Sequence, residues 1–330
     1  MKKAATFALT ILVILIISGC TRMVKPVSQT GFYLDTVIRI TLYDTGDSAS
    51  CSQLIQECFN RISSYESLFS ATLEGSDVWK INHSQGQPVT VSDDTAELLQ
   101  TALYYASLSD GLIDPSVRPL SELWDFGSGS SHTVPDEASI QEALSHVDYR
   151  QIHIEDTTVT LLDPSAAIDL GFIAKGYIAD RLRDYLLEQG VEHACISLGG
   201  NLLTINDKPD GTPYRVGIQQ PFADEGETIT VISVTDLSVV SSGIYERCFY
   251  EGERLYHHLL DTKTGYPADN NIAGVTILSS SSVEADALST TCYFLGVDAG
   301  MELIESLDGV EALFILKDQS MLPSSGFPSD

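Results

Sequence analysis

Positive charge is scarce in this chain: 18 Lys and Arg stand against 46 Asp and Glu over 330 residues, a formal net charge of −28. Such a balance argues against nucleic acid as a partner and against a polybasic hold on anionic lipid. It also means that a bound polyphosphate would need a metal cation to neutralise it. Cysteine is sparse and unpatterned. Beyond Cys20 there are Cys51, Cys58, Cys195, Cys248 and Cys292, an odd number with no C-x-x-C pair. They read as small core residues, and one disulfide is compatible with them without being required. The signatures G-x-S-x-G, Walker A and H-E-x-x-H are missing, and so is G-x-G-x-x-G, so a dinucleotide site here would not be of Rossmann type. With 43% apolar residues the chain is nevertheless no disordered acidic tail.

Long apolar runs are missing too, apart from Ala4 to Ile17 behind Lys2-Lys3, which is short for a membrane span. It ends Ile17-Ser18-Gly19-Cys20, which resembles a bacterial lipobox. The expected organisation is a signal peptide over residues 1–19 and lipidation at Cys20. A tether over 20–30 and one α+β unit over 31–318 follow, then a flexible tail over 319–330. The protein would be held by acyl chains at the extracytoplasmic face of the cell membrane. Losing Lys2 and Lys3, the only charges of the leader, takes the net charge from −28 to −30.

Periodicity gives a coarse order of elements. Thr36 to Tyr43 alternates as a strand, and Ser50 to Ser64 carries a helical apolar face that runs into a loop over Tyr65 to Ser70. Ser92-Asp93-Asp94 opens a second helix. Asp114-Pro115 reads as the N-cap and first position of a short one. Pro135 to Leu144 is a surface helix, and Gln151 to Ile154 with Thr158 to Leu162 forms a hairpin. A strand ending at Asp169-Leu170 meets the turn at Gly171 and a helix bearing Ile178, Leu182, Tyr185 and Leu186. Ala194 to Leu198 returns as a strand. Tyr214 to Gln219, Thr228 to Val234, Ser238 to Val240 and Ala273 to Leu278 are further strands, with turn-like clusters at Ser241 to Tyr245 and His257 to Pro267. Ser281 to Glu284 has the form of a capping box opening a helix to about Leu295. A helix over Ala299 to Leu307, a strand over Ala312 to Leu316 and a tail from Ser320 close the chain.

Three clusters could carry chemistry. Gly171, Ala174, Lys175 and Gly176 open a helix whose free N–H groups can cradle a phosphate, or the glycines serve packing alone. Asp286, Ser289 and Thr290 fall at i, i+3 and i+4, so three oxygen side chains share one helical face. Oxygen donors without histidine or thiolate suit Mg²⁺ or Ca²⁺. The alternative is an acid favouring the helix dipole and two hydroxyls bonded to the preceding turn. His257-His258 ahead of Asp261 could supply a base, while zinc would need more donors than the scattered remaining histidines offer.

Taken in order, these segments resemble the ApbE family of flavin transferases from about Gly31 to Gly296. Asp110 to Pro115 (DGLIDP) with Leu123 to Phe126 (LWDF) is similar to D-G-x-F-D-P … L-W-x-F. Asp169 to Asp180 (DLGFIAKGYIAD) is close to D-L-G-G-I-A-K-G-Y-A-V-D, and Gly199-Gly200-Asn201 matches G-G-D/N. Ser241 to Tyr245 (SSGIY) resembles T-S-G-x-Y. His258 to Pro267 (HLLDTKTGYP) resembles H-I-I-D-P-x-T-G-x-P, and Ala285 to Thr290 (ADALST) matches A-D-A-L-S-T. Departures are Leu34-Asp35-Thr36 for Met-Gly-Thr, Phe172 for a small residue, Ser289 where some relatives place a carboxylate, Ser241 for Thr and Thr262 for Pro.

The resemblance implies a single α+β domain of largely antiparallel sheets with packed helices. It implies an enzyme that binds FAD with Mg²⁺ and moves FMN onto a Thr or Ser hydroxyl of an exported acceptor, releasing AMP. The acceptor would be of the redox-pump or reductase-subunit type. By position, FAD would meet Leu34, Tyr65, Ser109, Asp110, Gly111, Asp169, Lys175, Leu259 and Leu260. The metal would be held by Asp286, Thr290, the Ser289 position and the Phe172 carbonyl, with His258 as base and Asp286 essential to turnover. An FAD pyrophosphatase giving free FMN and AMP, and a two-lobed solute-binding lipoprotein, are the rival readings.

Overall fold

The computed structural model describes residues 25–43, 48–127, 129–130, 132–224 and 226–328. The leader and Cys20 lie outside them. Among the described residues no helix is long and apolar enough to cross a membrane.

Eight strands form one sheet, in spatial order β1 (Val27–Tyr33), β2 (Thr36–Leu42), β6 (Ala194–Leu198), β7 (Asn201–Ile205), β10 (Ser238–Gly243), β13 (Ile272–Ser279), β14 (Glu311–Leu316) and β15 (Met321–Pro323). Every neighbouring pair is antiparallel. Alternation sorts the side chains by face. Val240, Ile277 and Phe314 enter the main core, while Val239, Leu278, Leu313 and Ile315 enter a second core on the opposite face. β13 is covered on both sides, which is why all eight of its residues are buried.

The main core lies under α1 (Ser48–Phe69), α3 (Asp93–Leu108), α6 (Ala174–Glu188) and α7 (Ser282–Glu305), with the short α2 (Asp77–Asn82) beside them. A hairpin of β8 (Tyr214–Gln219) and β9 (Thr228–Val234) closes the opposite face. A small separate sheet in the order β3 (Val89–Thr90), β5 (Thr158–Leu161), β4 (Ile152–Glu155) packs Ile152, Val159 and Leu161 into the main core. A third cluster joins α4 (Arg118–Trp124) and α5 (Glu137–Leu144) to the hairpin β11 (Cys248–Glu251) and β12 (Arg254–His257). There the Trp124 indole N–H donates to Gly265 O at 2.8 Å. This is the expected single α+β unit, built on one large antiparallel sheet with three smaller ones beside it, and the two-lobed arrangement does not occur among the described residues. Cys51, Cys58 and Cys292 are buried as expected, whereas Cys195 and Cys248, expected in the core too, are only half-buried.

Several local expectations need correction. Tyr65 to Phe69 is helix rather than loop, because no glycine or proline interrupts α1 and the Tyr65 and Phe69 rings stack at 5.7 Å one turn apart. The tether gives way to β1 already at Val27, paired with β2 along its length. Asp169-Leu170 ends no strand; the segment makes only an isolated bridge between Ala167 and Val117. Asp114 caps no helix. Its carboxylate accepts from Ser116 N and Oγ at 2.7 and 2.6 Å and from Tyr149 N at 2.8 Å, holding a turn, and α4 begins later at Arg118. Ser241 to Gly243 continues β10. The tail is no loose end either: β15 pairs with β14, and Ser324 Oγ accepts from Ala312 N at 2.9 Å.

The start of α7 is held from α6. Ser281 Oγ accepts from Glu284 N at 3.3 Å, but Glu284 turns to Ser279 Oγ at 2.6 Å, so the capping box is only half made. Asp180 supplies the rest, accepting from Ser282 N at 2.8 Å, Val283 N at 2.9 Å and Ser281 Oγ at 3.2 Å. Asp180→Ala leaves those part-buried donors without this acceptor and is expected to cost about 1–2 kcal/mol, read as a lower urea midpoint.

A weaker clamp joins the end of α5 to the turn after β5, where His146 Nδ1 lies 2.7 Å from Asp163 Oδ2. The hydrogen bond to Asp163 raises the His146 pKa above its ordinary 6.5, against a smaller opposing effect of burial. The stabilisation is therefore full below about 6.5 and is lost as pH rises through the folded pKa. His146→Ala should lower the urea midpoint more at pH 6 than at pH 8.

Candidate functional site

The site forms where the first turn of α6 meets the first turns of α7. Gly176 N donates to Asp286 Oδ2 at 2.8 Å, so the two sequence-distant clusters are in contact. A Cβ on Gly176 would stand 2.3 Å from Ser282 O and 2.6 Å from Val283 Cα, which explains why a glycine occupies this place. Gly176 follows Phe172 by four residues, so the Asp286 contact falls on the helix start that the Phe172 turn leads into.

Asp286, Ser289 and Thr290 do share a face, and it looks onto β10. Ser242 Oγ lies 2.7 Å from Ser289 Oγ and 3.3 Å from Thr290 Oγ1. Ser289 also donates to Asp286 O at 2.8 Å, so its hydroxyl is engaged in both directions and Thr290 is the freer donor of lone pairs. Asp286 is 5% exposed. Burial pushes its pKa up to about 6; Lys175 and the Gly176 N–H pull it down, and Glu246 and Asp180 push it further up.

Lys175 is the common neighbour of the site. Its charge acts on Asp286, on Glu246 and on His258. Burial raises Glu246, with Lys175 and Arg247 opposing. Burial lowers His258 to about 3, helped by Arg247, His257 and Lys175, while its contact with the Arg247 carbonyl opposes. His258 N donates to that carbonyl at 3.1 Å, and Nδ1 lies 3.3 Å from it. Glu246 is exposed and His258 half-buried, so solvent reaches both side chains.

The remaining expected contacts are each held by local partners. Asp169 pairs with Arg118 Nη1 at 3.5 Å and accepts from Gly171 N at 2.8 Å, standing at the entrance to α6. Ser109 caps the end of α3, and Asp110 and Gly111 follow with φ of 52° and 76°. Thr262 Oγ1 donates to Gly111 O at 2.6 Å, so this turn is tied to the loop that carries the buried Leu259 and Leu260. Leu34 sits in the β1–β2 turn with φ 52°, and its N–H donates to Glu66 Oε1 at 3.1 Å, the residue after Tyr65. Tyr65 meets the Tyr177 ring edge-on at 6.1 Å, two residues beyond Lys175. Among the described residues no hydrogen bond or ion pair joins the Leu34 turn to Asp286.

Sequence reasoning missed Glu246, Ser242 and Asp180. Glu246 follows a strand end, where no periodicity marks a residue. Asp180 was legible only as the last residue of a motif.

Among the described residues no three His, Cys, Asp or Glu side chains converge. A metal at Asp286 would therefore rest on one carboxylate, hydroxyls and a peptide oxygen, a donor set for a hard cation such as Mg²⁺ and not for zinc.

The chain is also similar over most of its length to proteins of known family. The model of the ApbE family matches residues 34–314. The FAD:protein FMN transferase of Klebsiella pneumoniae (strain 342) is 36% identical over 301 residues, covering 90% of this chain and 92% of that protein. That of Treponema pallidum (strain Nichols) is 32% identical over 324 residues, covering 93% and 89%. Among solved structures, the ApbE protein of Thermotoga maritima superposes with a TM-score of 0.83 at 30% identity, covering 92% of this chain and 98% of that one. The flavin transferase ApbE from Vibrio cholerae gives 0.82 at 28% identity, with the same coverage.

Proposed function

The chain belongs to the ApbE family, and from that premise we propose that it is an FAD:protein FMN transferase, moving FMN from FAD to a Thr or Ser hydroxyl of an exported protein and releasing AMP. The observation that carries the reading is the contact of the Lys175–Gly176 turn with Asp286, beside a neutral His258. Together they offer a cation site, a positive charge and a base, with the Lys175 charge acting on both Asp286 and His258.

The Phe172 carbonyl, Asp286, Thr290 and the Ser289 position would hold Mg²⁺, which when bound supplies neutralisation of the pyrophosphate that this acidic chain lacks. Lys175 adds a point charge at the phosphates. Asp169, the Ser109–Gly111 turn, Leu259, Leu260, Leu34 and Tyr65 orient the dinucleotide. His258 accepts the acceptor hydroxyl proton as the oxygen attacks the FMN phosphorus. The P–O–P bond breaks, and AMP leaves with the electron pair. With its pKa near 3 the imidazole is unprotonated at neutral pH, and the phosphate charge beside it raises its basicity as FAD binds.

We place the enzyme at the extracytoplasmic face of the cell membrane, lipidated at Cys20; the support is the Ile17-Ser18-Gly19-Cys20 motif. Metal stripping tests the cation. A chelator should abolish FAD turnover and Mg²⁺ should restore it; unchanged turnover after exhaustive stripping would remove the cation from the proposal.

A further inference from the structure

We infer that His257 is a positioning residue for the transfer, a lock that fixes the His258 end of β12 against the Asp286 helix and the loop that follows. The inference rests on the flavin-transfer reading. His257 is the last residue of β12 and is 3% exposed. Its Nε2 lies 3.1 Å from Ala268 O and 3.4 Å from the Tyr293 hydroxyl. Tyr293 stands on α7 one turn beyond Thr290, and its hydroxyl also donates to Ala268 O at 3.4 Å. The imidazole and the Tyr293 ring meet at 88° with centroids 6.0 Å apart. Ala268 N in turn donates to Leu259 O at 2.9 Å. One side chain thus links the base-bearing strand, the Leu259–Ala268 loop and the helix of Asp286.

The tautomer follows from the partners. A carbonyl only accepts, so Nε2 carries the proton and Nδ1 is a bare acceptor. That Nδ1 is buried and has no hydrogen-bond partner. Phenylalanine would fill the same space without an unpaired polar atom, so what the imidazole adds is the Nε2–H link itself. Burial lowers the His257 pKa to about 4, consistent with a neutral ring that bonds rather than titrates. His257 takes no proton from substrate in this account. It sets where His258 stands.

Three variants of the full chain test this, His257→Phe, His257→Gln and Tyr293→Phe, each with two readouts. One is acceptor flavinylation, resolved into kcat and the KM for FAD. The other is the rate at which diethyl pyrocarbonate modifies His258, mapped by peptide mass, with circular dichroism to confirm the fold. His257→Phe should lower kcat by about 10–100-fold, the scale of a misplaced catalytic group, with KM for FAD within about twofold. His258 should then react several-fold faster. His257→Gln, whose amide can still donate to Ala268 O, should recover most of kcat and the slow modification. Wild-type kcat and wild-type His258 reactivity in His257→Phe would overturn the proposal, as would equal losses in both His257 variants. Should both unfold, Tyr293→Phe decides: faster His258 modification supports the lock, and an unchanged rate refutes it. If the wild type labels no acceptor, the transfer reading has failed, while the His258 reactivity still judges the lock.

Discussion

Asp286→Asn is expected to abolish FAD turnover, by about three orders of magnitude or more, while leaving the metal-free protein at least as stable as the wild type. The two effects have one cause. Asp286 is buried, receives one hydrogen bond from Gly176 N and feels Lys175 from a distance, which is too little to compensate a carboxylate charge. Its raised pKa records that deficit. A cation would repair it, and asparagine removes it by removing the charge while its side-chain oxygen still accepts from Gly176 N. The metal-free variant should therefore gain on the order of 1–3 kcal/mol at pH 8. Steady-state turnover and urea unfolding of the chelator-treated protein check the pair of outcomes. A variant that is both inactive and unstable would make Asp286 a structural residue.

Gly176→Ala should be among the most damaging single-methyl changes in the chain. Helix propensity alone favours alanine in α6 by about 1 kcal/mol. Sterics oppose it more strongly, since the added Cβ would lie 2.3 Å from Ser282 O and 2.6 Å from Val283 Cα. Both are backbone atoms at the capped start of α7, so no side chain can swing aside. Separating the helices breaks the Gly176–Asp286 bond and pulls against the Asp180 cap together. The expected loss is about 3 kcal/mol or more, with FAD turnover lost as well. Thermal melts and circular dichroism read it directly. Wild-type stability in Gly176→Ala would mean that α6 and α7 do not approach as described.

Much of this was legible in the sequence, and the reasons differ by element. Strand β2 showed itself because one face is buried, so Ile38, Ile40 and Leu42 alternate with exposed or half-buried residues. Strands β11 and β12 were missed because they are four residues each, in a two-stranded hairpin whose outer positions are charged or exposed. The end of α1 was misread because Tyr65 and Phe69 stack one turn apart, a contact that apolar spacing does not separate from a loop. In the site, the Asp286, Ser289, Thr290 face followed from helical spacing alone. Its meeting with Gly176 did not, since 110 residues separate them and only the run of small residues signals a close approach. Glu246 carried no local signal. It matters because the fold brings Lys175 within range of its charge. The tail was misjudged for a related reason: Ser324 pairs with Ala312 N, a polar contact that hydrophobic patterning does not register.

The most direct test is the intact mass of a purified exported acceptor after incubation with the enzyme, FAD and Mg²⁺. The account predicts a gain equal to FMN less one water on a single Thr or Ser, with one AMP released per acceptor labelled and no labelling by Asp286→Asn. An acceptor of unchanged mass, with FMN and AMP both accumulating free, would contradict it and make the protein a pyrophosphatase.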